Sequence, residues 1–227
     1  MESFNEQLAV GVDKYIEALL NPHDEALAQN LQNAQEAELP TINVSPNEGK
    51  LLYLLTKIAG AQRVLEIGTL GGYSTTWLAR ALPADGKVIT LELDEKHAAV
   101  ARHNLERAGV ADRVEVRVGR ASDTLRTMID QHAAPFDLIF IDADKAGYVE
   151  YLDLSLQLSH EGTIIVADNL IRNGRVLADQ PEDGAARGAK AYNESMAARP
   201  ELESIILPII RQNLDGLSIS IVKRQSP

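Results

Sequence analysis

The chain has 227 residues, 45% of them hydrophobic, enough to bury one substantial core and near the upper size at which a single domain is the simplest architecture. Its 22 Lys and Arg against 33 Asp and Glu leave a net charge of −11, which argues against a nucleic-acid partner and for a small-molecule substrate. It has no cysteine, which excludes disulfides, thiolate metal sites and a cysteine nucleophile, and no apolar run approaches the about 20 residues of a membrane span. Met1 to Gly11 lacks a basic start followed by an apolar stretch, so a cytoplasmic protein is expected.

Leu8, Val12, Tyr15, Ile16, Leu19 and Leu20 fall at helical spacing before Pro22, and a polar, Ala-rich segment over 24–38 predicts a second helix. Ser45-Pro46-Asn47-Glu48 reads as a capping box with proline in the first turn, opening a third helix that runs to a stop at Gly60. Strands at 63–67, 87–91, 114–118, 136–141 and 163–167 then alternate with helices at 74–82, 95–108, 122–129 and 148–158, the signature of a parallel sheet. A helix over 182–198 precedes apolar runs at 202–210 and 217–222, whose turn-rich connection at 213–216 suits an antiparallel hairpin. One domain over 1–227 is expected, with residues 1–45 forming a helical layer that contributes to the pocket.

Two of the apolar runs end in hard oxygen ligands: Phe136 to Ile141 leads into Asp142, and Thr163 to Ala167 into Asp168 and Asn169. As neighbouring parallel strands about 4.8 Å apart, they would bring two carboxylates and an amide to one sheet edge, a set suited to Mg²⁺ or Ca²⁺. Asp142 alone reads better as a loop cap; the combination with Asp168 and Asn169 carries the metal reading. Val64-Leu65-Glu66-Ile67-Gly68-Thr69-Leu70-Gly71-Gly72-Tyr73-Ser74 is strand, glycine turn and helix start, where doubly wound folds take a nucleotide-like ligand. Glu92 ends the next strand about 20 residues on, where a carboxylate can accept from ribose hydroxyls. The Gly-x-x-Gly-Gly spacing departs from Gly-x-Gly-x-x-Gly, which argues against a nicotinamide-dependent oxidoreductase, the first alternative. Glu66 faces a cationic or amine-bearing ligand better than a phosphate, and S-adenosylmethionine carries a sulfonium, an amine and a ribose. The residues point to methyl transfer.

At this point the chain resembles the cation-dependent O-methyltransferases, the family of catechol and caffeoyl-CoA O-methyltransferases, its bacterial members above all. The carriers are Val44-Ser45-Pro46-Asn47-Glu48-Gly49, the glycine turn, Ile141-Asp142-Ala143-Asp144-Lys145 with Tyr148, and Ala167-Asp168-Asn169 followed by Asn173-Gly174. The resemblance implies an α/β, Rossmann-like methyltransferase fold: a seven-stranded, mostly parallel sheet with helices on both faces, a closing antiparallel hairpin and an N-terminal helical layer. It implies that Val44, Glu66, Gly68, Thr69, Ser74, Glu92, Ala121 and Asp142 surround S-adenosylmethionine. Asp142, Asp168 and Asn169 would bind a divalent cation, Mg²⁺ first with Ca²⁺ or Mn²⁺ as alternatives.

Lys145 would stand beside the acceptor oxygen as the base, with Asp142 catalytic beside it, and Asn173 on the substrate side. Arg172 stands where plant caffeoyl-CoA enzymes have an aromatic residue, so acceptor identity does not carry over. The expected activity is methyl transfer to a hydroxyl of a small catechol-like or vicinal-diol aromatic, by a homodimer; a non-catalytic ligand-binding module is the second alternative. Tyr148 reads equally as a substrate neighbour or as core. The histidines, His160 among them, lack ligand spacing and are assigned no role.

Overall fold

The structure, a computed structural model, describes residues 6–21, 23–211 and 213–223. Pro22, read as the stop of the first helix, and the two ends of the expected domain, 1–5 and 224–227, lie outside the described residues. Among those residues no helix is long and apolar enough to cross a membrane.

Seven strands form one sheet: β1 (Arg63–Ile67), β2 (Lys87–Glu92), β3 (Val114–Val118), β4 (Phe136–Ile141), β5 (Ser159–Ala167), β6 (Leu202–Ile210) and β7 (Leu214–Val222). Their order is β3-β2-β1-β4-β5-β7-β6. The first five are mutually parallel and β7 joins β5 and β6 antiparallel, as the closing hairpin requires. The helices are α1 (Glu6–Leu20), α2 (Glu25–Glu36), α3 (Pro46–Ile58), α4 (Tyr73–Ala81), α5 (Glu95–Arg107), α6 (Ala121–Asp130), α7 (Tyr148–Gln157) and α8 (Gly184–Ala197). The chain winds outward in one direction from β1 and in the other from β4, which opens a crevice at the carboxyl ends of these two strands.

Side chains alternate between faces along a strand, and that alternation sorts the core into two layers. Leu65, Ile67, Ile139, Ile141 and Ile165 pack with Leu125 and Met128 of α6, Leu152 of α7 and Tyr192 of α8. Val64, Leu138, Phe140, Ile164 and Val166 face the other way, onto Leu52 of α3 and Trp77 and Leu78 of α4. Central strands apolar on both sides are what two helical layers demand. The capping box of α3 forms as expected: Ser45 Oγ accepts the Glu48 N–H at 3.2 Å, and Glu48 Oε2 accepts the Ser45 N–H at 2.6 Å.

The starts of β5 and β7 differ most from the sequence expectation. Strand β5 begins at Ser159 instead of Thr163, because its register against β4 shifts between Phe136↔Ser159 and Leu138↔Ile164. Thr163 bridges the irregularity, its hydroxyl accepting the His160 N–H at 2.9 Å and donating to the Phe136 carbonyl at 2.7 Å. Asp215 and Gly216, turn-formers by composition, are drawn into the β6–β7 ladder opposite Ile209 and Pro208, so β7 begins at Leu214 instead of Leu217.

The opposite, amino-terminal edge is tied by Asp137. Its Oδ2 accepts the N–H groups of Gln62 and Arg63, both at 2.8 Å, and its Oδ1 lies 2.9 Å from His160 Nε2. Hydrogen bonds to Asp137 and to the Glu161 carbonyl raise the His160 pKa above 6.5. Partial burial of Asp137 is outweighed by its hydrogen bonds to His160 and the two N–H groups, which lower its carboxyl. A raised histidine stabilises the fold fully below its unfolded value, and the contribution disappears as pH rises through the folded one. With the His160 side chain 42% exposed, solvent screening holds the effect below about 1 kcal/mol. His160→Gln is therefore expected to lower the melting temperature by up to about 4 °C near pH 6 and by much less near pH 9, as read by thermal denaturation.

Candidate active site

The crevice is a cavity of about 840 Å³, within the range of small-molecule sites. Its floor is the row of strand exits, where each exit residue donates its N–H to a carbonyl of the neighbouring strand. Gly119 donates to Glu92 (2.8 Å), Gly68 to Leu91 (2.9 Å), Asp142 to Ile67 (2.9 Å) and Asp168 to Ile141 (3.1 Å). The exits of β1 and β4 approach so closely that a Cβ on Gly68, whose φ is 105°, would lie 2.0 Å from the Asp142 carbonyl oxygen. Only glycine fits there.

Val44, Gly68, Thr69, Ser74, Glu92 and Ala121 all line the cavity. The Glu92 carboxylate is held by four backbone N–H groups: Thr69 (3.2 Å) and Leu70 (2.7 Å) on Oε2, Leu93 (2.9 Å) and Asp94 (3.0 Å) on Oε1. It thereby ties the glycine turn to the end of β2.

Glu66 departs from the expected ligand wall, being fully buried beneath the turn and absent from the lining. It is paired with Thr90 in the β1–β2 register, and its Oε2 accepts from the hydroxyls of Thr75 (2.5 Å) and Thr90 (2.7 Å). Oε1 has no partner among the described residues. Burial pushes its carboxyl up to about 7, against the hydroxyls of Ser74, Thr75 and Thr90 and with a smaller push from Asp142.

On the other side of the cavity, Asp142, Lys145 and Asn169 line the wall, while Asp168 lies beneath it at 4% exposure. Burial, then Asp142 and Glu48, raise Asp168 well above the usual carboxylate range. Among the described residues no three His, Cys, Asp or Glu side chains form a metal cluster. The expected set is two carboxylates and an amide, and its hard oxygens, with Asp168 pushed up by burial and by Asp142, suit a divalent cation. Lys145, its side chain 8% exposed, points Nζ at Asp142 Oδ1 (3.2 Å), the Ala143 carbonyl (3.2 Å) and the Tyr148 hydroxyl (2.5 Å).

Tyr148 is a participant that sequence reasoning left undecided. It is fully buried, and its hydroxyl reaches the carbonyls of Ile141 (3.2 Å) and Asp168 (3.1 Å), the ends of the two ligand-bearing strands. Burial, with Asp142 and Asp168 nearby, raises its phenol well above the ordinary range, so it remains a neutral donor. The available signal was its spacing, one helical turn after Lys145. Asn173, expected on the substrate side, is exposed and absent from the lining; its Oδ1 accepts the Leu214 N–H at 2.9 Å. Its left-handed backbone (φ 56°) turns the side chain to the hairpin, and the preceding residue, Arg172, takes the wall position.

The O-methyltransferase family profile matches residues 18–222. The chain belongs to the O-methyltransferase family. It is 47% identical over 220 residues to a catechol O-methyltransferase of Niastella koreensis, covering 96% of this chain and 100% of that one. A catechol O-methyltransferase of Mycobacterium tuberculosis is 47% identical over 213 residues, covering 93% and 95%. An O-methyltransferase from Bacillus cereus in complex with SAH superposes with a TM-score of 0.94 at 44% identity, over 96% of this chain and 100% of that one. For this O-methyltransferase the nicotinamide alternative, which rested on the glycine turn and Glu92 alone, is set aside.

Glu66 gives a pH signature. Its folded pKa of about 7 exceeds the reference 4.5, so its contribution is full below the unfolded value and is lost as pH rises through the folded one. Denaturant titration of the ligand-free enzyme should show Glu66→Gln gaining on the wild type by roughly 3 kcal/mol from about pH 4.5 to about pH 8.5. Tyr148→Phe leaves Lys145 Nζ one acceptor short. A fall in kcat on the order of tenfold or more is expected, with unchanged SAH affinity by calorimetry.

Proposed function

We propose that the enzyme transfers the methyl group of S-adenosylmethionine to a hydroxyl of a small aromatic acceptor with vicinal oxygens, such as a catechol, with a divalent cation held by Asp142, Asp168 and Asn169. The observation that carries the reading is the meeting in one cavity of the Gly68–Glu92–Ala121 wall with Asp142, Lys145 and Asn169. The names of the relatives and the SAH complex of the Bacillus cereus protein agree with it. Mg²⁺ is the favoured cation, given an all-oxygen set.

Glu92, fixed by its four N–H donors, receives the ribose hydroxyls by sharing lone pairs, and Val44, Thr69, Ser74 and Ala121, which line the same cavity, close around the rest of the donor. Glu66 acts from beneath the turn, where its Oε1 makes no hydrogen bond among the described residues. Once bound, the cation supplies Lewis acidity and a fixed orientation for vicinal oxygens. Lys145 takes the hydroxyl proton at Nζ as the neutral amine, which keeps two N–H donors for two of its three acceptors and turns the lone pair toward the acceptor hydroxyl. The oxygen attacks the methyl carbon in line, an O–C bond forms as the C–S bond breaks, and the sulfur leaves as a neutral thioether. Positioning in a closed cavity supplies about 7–11 kcal/mol of such a barrier.

The same reading makes the whole chain one domain whose N-terminal layer belongs to the pocket, supported by Ile42, Asn43 and Val44 in its lining. It also makes the enzyme a homodimer, supported by the exposed apolar stripe of Val12, Tyr15 and Leu19 on α1.

The test is product formation from S-adenosylmethionine and a panel of catechols, followed by mass spectrometry with Mg²⁺ and with chelator. Turnover should fall by about 10² or more on chelation and in Asp142→Ala, and Lys145→Met should lose about 10²–10⁴ in kcat. Metal-independent turnover, or undiminished Asp142→Ala, would sink the cation assignment.

A further inference from the structure

The segment after β5 is bent into a left-handed conformation that asparagine and glycine tolerate and Arg172 does not favour. Asn169 (φ 61°), Arg172 (φ 53°), Asn173 (φ 56°) and Gly174 (φ 76°) are all left-handed, and only the last is glycine. Strain of this kind persists where surrounding structure over-determines the backbone, and it collects at functional sites. Here the determinant comes from β7. The antiparallel pairing of β5 with β7 stops at Ala167↔Ser218, and the next residues of β7 run alongside the bent segment instead of a strand.

Asp215 takes over where the ladder ends. Its Oδ1 accepts the N–H groups of Ile171 and Arg172, both at 3.0 Å, and of Gly216 at 2.9 Å. Asn173 answers in the other direction, accepting the Leu214 N–H at 2.9 Å, and the Leu170 N–H donates to the Gly216 carbonyl at 2.9 Å. Asp215 is only 9% exposed, and two of the three bonds to its Oδ1 reach residues 44 and 43 positions away. A hairpin cap would keep its bonds local. This carboxylate is committed to the bent segment: it holds the N–H groups of Ile171 and Arg172, and Arg172 and the nearby Asn169 line the cavity wall.

We propose that Asp215 is a positioning residue: through the N–H groups of Ile171 and Arg172 it sets the backbone that aims the Asn169 amide at the cation position beside Asp142. The proposal rests on the cation assignment made above. It adds that the geometry of one ligand is set from β7, a strand that contributes no ligand.

The test is Mn²⁺ binding to the full chain with SAH present, followed by electron paramagnetic resonance, alongside SAH affinity by calorimetry. Wild type and Asp142→Ala come first, since absence of Asp142-dependent Mn²⁺ uptake in the wild type overturns the cation assignment itself. With that uptake present, Asp215→Ala is expected to weaken Mn²⁺ about 10–100-fold, the usual cost of losing an outer-layer support, while SAH affinity holds. Asp215→Asn keeps an acceptor oxygen for the same N–H groups and recovers most of the loss. Asn173→Ala opens only the second strut and carries the same test should Asp215→Ala not fold, with weaker Mn²⁺ binding expected. Unchanged Mn²⁺ affinity in these variants overturns the proposal. So does an Asp215→Asn as impaired as Asp215→Ala, which would make charge the cause, or a parallel loss of SAH affinity, which would make the defect global.

Discussion

The row of hydrogen bonds along the carboxyl edge, from Gly119 to Glu92, Gly68 to Leu91, Asp142 to Ile67 and Asp168 to Ile141, extends the parallel pairing one step beyond the strands. Strand exits held in this way are spaced at the separation of the sheet, about 4.8 Å, and kept at one depth. Everything in the cavity inherits that spacing: the turn that follows β1, the Lys145 loop that follows β4, and the Asp168–Asn169 step that follows β5. The close approach of Gly68 to the Asp142 carbonyl is the cost of the arrangement, met by leaving out a side chain.

A second theme is how the buried and half-buried acids near this edge are compensated. Glu92 has four backbone N–H groups, Asp215 has three on one oxygen, Glu66 has threonine hydroxyls, and Glu48 has the Ser45 N–H and Arg211 at 3.2 Å. Asp142 has Lys145. Among the described residues the Asp168 carboxylate accepts only the Asn169 N–H, at 2.7 Å, and the acids Asp142 and Glu48 near it outweigh Lys145. Buried charge is tolerated in proportion to its partners. Asp168 is the least compensated of the six, and the proposed cation would be its counter-charge. Tyr148 underlies this cluster, joining the lysine to the carbonyls of both strand ends.

Much of the fold was legible because its signals are local. Alternating apolar runs and amphipathic segments specify βαβ order, and Ser45 with Glu48 specifies the start of α3 through bonds only three residues long. The misjudged boundaries are those where a distant partner overrides local chemistry. Asp215 and Gly216 look like a turn by composition, yet the demand for an acceptor beside Ile171 and Arg172 places them in a ladder. The early part of β5 lacks strand character and exists because Phe136 pairs with Ser159 across the bulge that Thr163 bridges.

The sequence by itself determined the order of elements, the parallel sheet, and which residues stand at the strand exits, since a period of two and a period of 3.6 are written in the chain one residue after another. It could not decide which of those residues reach the cavity. Glu66, one residue before the end of β1, belongs to the face covered by α4 and lies beneath the turn; Asn173 is rotated by its left-handed backbone toward Leu214; Tyr148 and Asp215 turn inward to support the wall. Those choices depend on contacts between segments tens of residues apart, and they were made only when the helices closed on the sheet and the hairpin of β6 and β7 came to lie beside β5.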